Sequence, residues 1–355
     1  MVGLAVIYSE SYLMLDFGPR HPLNPKRFAR TYQLIRERLE HDLYEPKPID
    51  PRTLIELGVH SEEYIDLVQK CSKLEIPYLS LYTTDTPCFH GIYEWALLYC
   101  GGTLLGCDLL LENKHDVVFN VVGGFHHAKY DEDGGFCVFN DCALAIAYLD
   151  KRGKRVAYLD FDAHAGDGTY MILYDKPILK ISIHEDPRNL YPGRGFMFEC
   201  GEGEGYGYTL NIPLPPYSTS ADIIEVFDRV IVPVMRIYSP EILVVQCGMD
   251  GYFKDPITHL SYTCVAYIEI ARRLRELQVP LLLCSGGGYS TDVPMLHTVF
   301  LAYIVRQEGA VGDLISRLKA ASYGIGEKRT SPRVRRLIER ILSEHPLFRM
   351  LNLGE

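Results

Sequence analysis

Several familiar signatures are absent from this chain, and each absence removes a class of protein. None of the ten cysteines forms a C-x-x-C pair, so nothing in their spacing marks a paired-thiol site. Most of them, including Cys100, Cys107, Cys247, Cys264 and Cys284, sit in apolar or helical surroundings, the setting of buried reduced thiols in a cytoplasmic protein. Positive charge is scarce: a formal net charge of -10 argues against direct nucleic-acid binding, which needs a basic surface. No apolar run reads as long enough to span a bilayer, so no membrane is expected. The apolar start, Met1 to Leu15, lacks a basic lead and contains Glu10; it reads as a first strand rather than a signal peptide. The H-E-x-x-H zinc motif and the G-x-S-x-G nucleophile elbow are both missing. The glycine-rich stretch Gly201 to Gly207 is acidic and lacks the lysine and following helix of a phosphate loop, so it reads as a turn before a strand-like run. No linker, low-complexity tract or internal repeat divides the chain, which predicts a single domain over residues 1–355.

What is present is the composition of a globular protein, 47% hydrophobic and 23% charged over 355 residues. Apolar, β-branched-rich runs fall at Asp116–Val122, Arg155–Asp160, Ile178–Ile183, Glu241–Gln246 and Pro280–Cys284. Their hydrophobicity is continuous rather than alternating, which predicts strands buried on both faces. Helical patterns lie between them. Asn24-Pro25 opens one with Phe28, Tyr32, Ile35 and Leu39 inward, and Tyr267, Ile270, Ala271, Leu274 and Leu277 make another stripe. Gly101-Gly102 would let a helix pack closely on the sheet, and Ser331-Pro332 caps a basic helix whose apolar face holds Val334, Leu337, Ile338, Ile341 and Leu342. The expected fold is α/β: a parallel sheet flanked by helices on both faces.

Polar residues recur where these strands end. His126-His127 follows the first run, Asp162 and His164 the second, His184 ends the third, Asp250 follows the fourth and Tyr289 the fifth. Open α/β sheets build their sites beyond the carboxyl ends of the strands. In Val156–Gly168 an apolar run breaks into Asp160, Asp162 and His164; positions two apart leave a strand side by side. Two carboxylates beside an imidazole are costly to bury without a cation or hydrogen bonds. Asp162, His164 and Asp250 therefore make a three-ligand site with an open position, the mark of a catalytic rather than a structural zinc. His126-His127, in a glycine-rich loop, can move protons near neutral pH, and Ser285-Gly286-Gly287-Gly288-Tyr289 can bring backbone and phenol close to a developing oxyanion.

In series, these blocks resemble the zinc-dependent histone deacetylase family, with its acetoin-utilisation and acetylpolyamine amidohydrolase members. The resemblance rests on Gly123–Lys129 with Gly134–Asp141, Tyr158–Gly168, Gln246–Asp250 with Asp255-Pro256, and Gly286–Tyr289, with weaker matches at His21-Pro22, Asn24–Arg27, Asp85-Thr86-Pro87 and Ser182–His184. It implies an arginase/deacetylase fold and a zinc amidohydrolase acting on acylated protein lysine, acetylpolyamine or another small acylated amine. It implies that Asp162, His164 and Asp250 hold one zinc, for which iron(II) or cobalt(II) could substitute. It makes His127 the general base and acid oriented by Asp167, His126 its neighbour paired with Asp160, and Tyr289 the group that polarises the carbonyl. Asp85, Gly135, Phe136, Tyr191 and Ile257 would contact substrate, with Tyr191 where phenylalanine is often found. Potassium would sit on the backbone or side chains of Asp160, Asp162, His164, Ser182 and Ile183. The sequence is compatible with a homo-oligomer. Ala165 departs from the second histidine many members carry. Asp-Ala-His-Ala is also similar to two-metal arginase-type ureohydrolases, but these place further aspartates where this chain has Gly166 and Gly248. A third reading is a binding protein for acylated amines without turnover.

Overall fold

The structure, a computed structural model, describes residues 3–80, 84–323, 325 and 329–351. Its centre is a wholly parallel sheet of eight strands: β1 (Leu4–Ile7), β2 (Asp42–Tyr44), β3 (Val117–Asn120), β4 (Val156–Asp160), β5 (Leu179–Glu185), β6 (Thr209–Leu214), β7 (Ile242–Gln246) and β8 (Leu281–Cys284), in the order β2-β1-β3-β8-β7-β4-β5-β6. Every expected internal strand is present, and β3, β4, β5, β7 and β8 are buried along their whole length, as continuous hydrophobicity requires. The edge strand β2 has no such pattern, and its residues are exposed or half-buried.

Two strand boundaries and one reading of an apolar run differ from expectation. Only Leu4–Ile7 of the apolar N-terminal stretch is strand; Glu10–Met14 is a 3-10 turn capped by Ser9. β5 runs through His184 to Glu185, so that histidine lies inside the strand. The helix Ile92–Leu111 is 20 residues long and apolar enough by length and composition to cross a membrane, which corrects the expectation that no run reaches bilayer length; 78% of its apolar window is buried inside this fold.

The helices that position the site are α1 (Lys26–Arg38), α2 (Ile92–Leu111), α3 (Asp141–Asp150), α4 (Asp167–Ile172), α5 (Cys264–Glu276), α6 (Val293–Ile304) and α7 (Pro332–Glu344). Adjacent strand residues face opposite ways. Gly106 of α2 packs on Val118 and Leu282, while His297 of α6 meets Phe119, so the two helices cover opposite faces. The Gly101-Gly102 pair allows the close packing expected: a Cβ on Gly102 would fall 2.9 Å from Asn120 Nδ2 on β3 and 2.2 Å from the Tyr12 hydroxyl, and one on Gly101 1.8 Å from the Lys47 carbonyl oxygen. α7 buries Val334, Ile338 and Ile341.

The cysteines depart from the expected pool of reduced thiols at one place. Cys71, at the end of the helix Glu62–Ser72, is disulfide-bonded to Cys88. The other eight are free, and all of these but Cys200 are buried.

Candidate metal centre and active site

Strand order explains why distant sequence blocks meet. All strands point the same way, so their carboxyl ends share one edge. Pairing aligns Asn120, Cys284, Gln246, Asp160 and Ser182 in one row across β3, β8, β7, β4 and β5. The loops leaving that row are stitched together by backbone bonds: Gly286 N–H to the Gly123 carbonyl (2.9 Å), Cys247 N–H to Cys284 (2.7 Å) and Met249 N–H to Gly287 (2.9 Å).

Asp162, His164 and Asp250 converge there, all buried, with one ligand atom of each within 4.8 Å of the others. Nδ1 of His164 lies 3.1 Å from Asp162 Oδ1 and 2.9 Å from Asp250 Oδ2. Asp162 Oδ2 accepts from Gln246 Nε2 and Gly287 N–H, both at 2.8 Å, and Asp250 Oδ1 accepts from Ala163 N–H at 2.7 Å. These bonds aim the carboxylates without neutralising them. Burial and the charge of Asp162 push Asp250 well above the usual carboxylate range. Burial opposes protonation of His164, yet its bonds to Asp162 and Asp250 raise it to about 10. Two carboxylates and one imidazole buried together must share protons or a cation, and a divalent ion would take the place of those protons, so the donor set fits zinc.

The two histidines sit beside this cluster. His126 Nδ1 is 2.7 Å from Asp160 Oδ2, an oxygen that also accepts from Tyr158 (2.8 Å), and its Nε2 is 3.1 Å from His127 Nε2. His127 Nδ1 is 2.7 Å from Asp167 Oδ1. Burial disfavours charge on both rings; Asp160 and Asp162 overcome it at His126, raised to about 9, whereas burial and the neighbouring His126 hold His127 down to about 4. The loop bearing them is fixed by Asp141, which accepts from Gly124 N–H, Phe125 N–H (2.8 Å) and Thr103 Oγ1 (2.6 Å), and by Asn140, which donates to the His126 carbonyl (3.1 Å).

Tyr289 closes the opposite side. Its backbone N–H donates to Asp255 Oδ2 (2.8 Å), and Arg27 reaches from α1 to the carbonyls of Gly288 (2.5 Å) and Gly286 (2.9 Å). Gly286 and Gly288 have φ of +68° and +125°, and a Cβ on Gly287 would sit 2.5 Å from Asp250 Oδ2. Only glycine lets this turn approach the carboxylates so closely.

The predicted substrate residues are also brought together. Asp85, Gly135, Phe136, Tyr191 and Ile257 line one cleft with Leu190, and His127, His164 and Tyr289 reach its wall. Tyr191 meets the His127 ring edge-on at 5.0 Å, and Phe136 meets Tyr289 at 5.9 Å. Ser182 and Ile183 are not in this cleft. They are buried on β5 behind Asp160, with Ser182 Oγ 2.8 Å from His184 Nδ1. His184 is likewise set back, its Nε2 2.8 Å from the Gly195 carbonyl. The reading missed Arg27, Gln246, Tyr158 and Asp141 as site residues. Each lies inside a block that carried the resemblance, which was the available signal.

Where arginase-type enzymes carry extra aspartates, this chain has no space. A Cβ on Gly166 would lie 2.2 Å from Asp160 Oδ2, and one on Gly248 2.2 Å from Asp162 Oδ2.

Comparison with known proteins agrees with this architecture. Residues 21–301 match the histone deacetylase domain. The chain is 36% identical to the acetoin utilization protein AcuC of Bacillus subtilis (80% of this chain, 76% of that protein) and 35% identical to a probable deacetylase of Archaeoglobus fulgidus (82% and 83%). It is 32% identical to histone deacetylase B of Dictyostelium discoideum (77% and 67%). The crystal structure of the HDA15 HD domain shares its fold, with a TM-score of 0.79 at 23% identity over 99% of this chain and 98% of that one. The chain belongs to the histone deacetylase family.

Proposed function

We propose that this protein is a metal-dependent amidohydrolase that deacylates an amine, either an acyl-lysine of a protein or a small acylated amine such as an acetylpolyamine, with the whole chain acting as one catalytic domain. The observation that carries this reading is the meeting of Asp162, His164 and Asp250 at the cleft wall beside the His127–Asp167 pair. Those three residues would hold the ion, zinc by donor type with iron(II) or cobalt(II) as substitutes, and its chemistry when bound is Lewis acidity toward the amide carbonyl and toward water.

The chain's own groups would do the rest. Asp167 fixes the His127 tautomer, leaving Nε2 to take a proton from water and return it to the departing amine. Asp160 plays the same orienting part for His126. The Tyr289 hydroxyl donates to the carbonyl oxygen as it gains negative charge. Phe136 and Tyr191 flank the alkyl chain, Gly135 and Ile257 complete the wall, and Asp85 meets the substrate at the mouth. Potassium on Asp160, Asp162, His164, Ser182 and Ile183 would stiffen the loop beneath the ligands. The tight packing around Gly166 and Gly248 disfavours a two-metal ureohydrolase.

Tyr289→Phe tests the mechanism. It removes one oxyanion donor, so kcat on an acetyl-lysine peptide should fall by roughly 100- to 1,000-fold while the melting temperature holds. Unchanged turnover in the zinc-loaded variant would sink this assignment.

A further inference from the structure

The phenol of Tyr289 stands on a turn with little stiffness of its own. It follows Gly286, Gly287 and Gly288, two of which have positive φ, +68° and +125°. Glycine leaves the backbone free, so the place of the phenol must be imposed from outside the turn. Among the described residues no group hydrogen-bonds the Tyr289 hydroxyl, so nothing at its tip aims it.

The anchors of the turn divide by position. Met249 N–H holds the Gly287 carbonyl, Asp162 holds the Gly287 N–H, and Arg27 grips the carbonyls of Gly286 and Gly288. All of these act on the glycines. Tyr289 itself is held by Asp255, whose Oδ2 accepts its backbone N–H at 2.8 Å. Oδ1 of the same carboxylate accepts the N–H of Ile257 at 3.1 Å. Ile257 and Tyr289 both line the cleft, so one carboxylate ties the phenol-bearing residue to a residue of the opposing wall.

Asp255 is placed to be a firm anchor. It is buried, and its loop is closed at the neck by Tyr262 N–H on the Gly251 carbonyl (3.0 Å) and Phe253 N–H on the Tyr262 carbonyl (2.9 Å). Thr258 ties the same loop to the candidate ligand Asp250, donating to its carbonyl at 2.5 Å. Burial raises Asp255 to about 6 while its bonds from Tyr289 and Ile257 pull it down, so above that pH both oxygens accept. An ionised acceptor makes the stronger bond.

We propose that Asp255 is a positioning residue: it fixes the Tyr289 backbone so that the phenol meets the substrate carbonyl, and it acts on the reaction through that phenol. The inference rests on the deacylase reading and adds to it the group that aims one of its donors.

The test is a double-mutant cycle on zinc-loaded full-length protein, with Asp255→Asn and Tyr289→Phe made singly and together. Asparagine keeps the shape of aspartate but turns one acceptor into a donor that faces an N–H. A misplacement of about 1 Å can cost on the order of 100-fold, so Asp255→Asn should lower kcat on an acetyl-lysine peptide by roughly 10- to 100-fold. KM should hold, because the loss falls on the transition state. In the Tyr289→Phe background the same substitution should cost little more, since no hydroxyl remains to be aimed. Unchanged kcat in Asp255→Asn, or equal losses in both backgrounds as a general weakening of the fold would give, would overturn the proposal. Should the Asn protein not fold, Asp255→Ala, which offers no acceptor, takes its place in the cycle. NMR of protein labelled with carbon-13 at the tyrosine Cζ reads the phenol without turnover. The signal missing from Tyr289→Phe belongs to Tyr289, and Asp255→Asn should shift or broaden it. An unmoved signal would count against the positioning role; a moved signal in a protein that hydrolyses no acylated amine would count against the deacylase reading and not against the positioning role.

Discussion

Among the described residues, two buried clusters have the residue types of a metal site, and one of them has the physics of one. Asp162, His164 and Asp250 form the first; Asp141, Cys142 and Cys284 form the second, equally buried and equally compact. In the second, the single carboxylate is saturated by Gly124 N–H, Phe125 N–H and Thr103, and burial drives the Cys142 thiol well above its usual range, so it stays neutral. In the first, two carboxylates share one imidazole nitrogen, so like charges meet that only a proton or a cation can hold together. The carboxylates of both clusters are hydrogen-bonded, and what separates the two sets is how many like charges are gathered in one place.

The strongest way to break this contrast is metal analysis. Purified protein should carry about one tightly held divalent ion per chain. His164→Ala should lose it together with all measurable deacylation, while Cys142→Ser keeps both, as read by elemental analysis and a peptide assay. Metal retained in His164→Ala and lost in Cys142→Ser would reverse the assignment. Chelation of the wild type should abolish activity, and zinc should restore it.

Asp141 gives the next largest effect. Asp141→Ala strands buried donors at Gly124, Phe125 and Thr103, each worth about 1–3 kcal/mol when unsatisfied, so stability in urea should drop by several kcal/mol. A loss below about 0.5 kcal/mol, the range of ordinary surface substitutions, would show that these bonds do not hold the His126–His127 loop.

Lys180 sharpens the comparison with the opposite sign. It is 1% exposed, and its ammonium donates to the carbonyls of Leu173 (2.8 Å) and Lys176 (3.0 Å) rather than to a carboxylate. Burial lowers its pKa to about 7 from 10.5. The unfolded chain then binds more protons than the folded one between about pH 7 and 10.5, so the destabilisation is full below pH 7 and fades as pH rises through that window. Lys180→Met should stabilise the protein more at pH 6.5 than at pH 9.5. Equal melting shifts at the two pH values would show that the lysine stays charged when buried.

Much of the fold was legible because parallel strands must be apolar on both faces. That pattern predicted β3, β4, β5, β7 and β8 with boundaries off by a residue or two. β2 was invisible because an edge strand with exposed side chains needs no apolar run. The candidate ligands were legible because Asp160 to Asp167 are close in sequence, and because the other blocks resemble a family in consistent order. Asp133 was not legible, since an acidic residue in a loop looks solvated until its burial is known. The Cys71–Cys88 bond was missed for a similar reason: spacing alone does not say which thiols meet.

By itself, then, the sequence determined the layered α/β class and the chemical types available at each strand end, because both follow from short-range patterns. Tertiary structure decided which of those types act together. Strand order set the loops after β3, β8, β7 and β4 side by side and brought Asp250 and Tyr289 to ligands nearly a hundred residues away or more. The same packing gathered two carboxylates, Asp162 and Asp250, on one imidazole and left Asp141 a single carboxylate among backbone donors, a difference that no local pattern encodes.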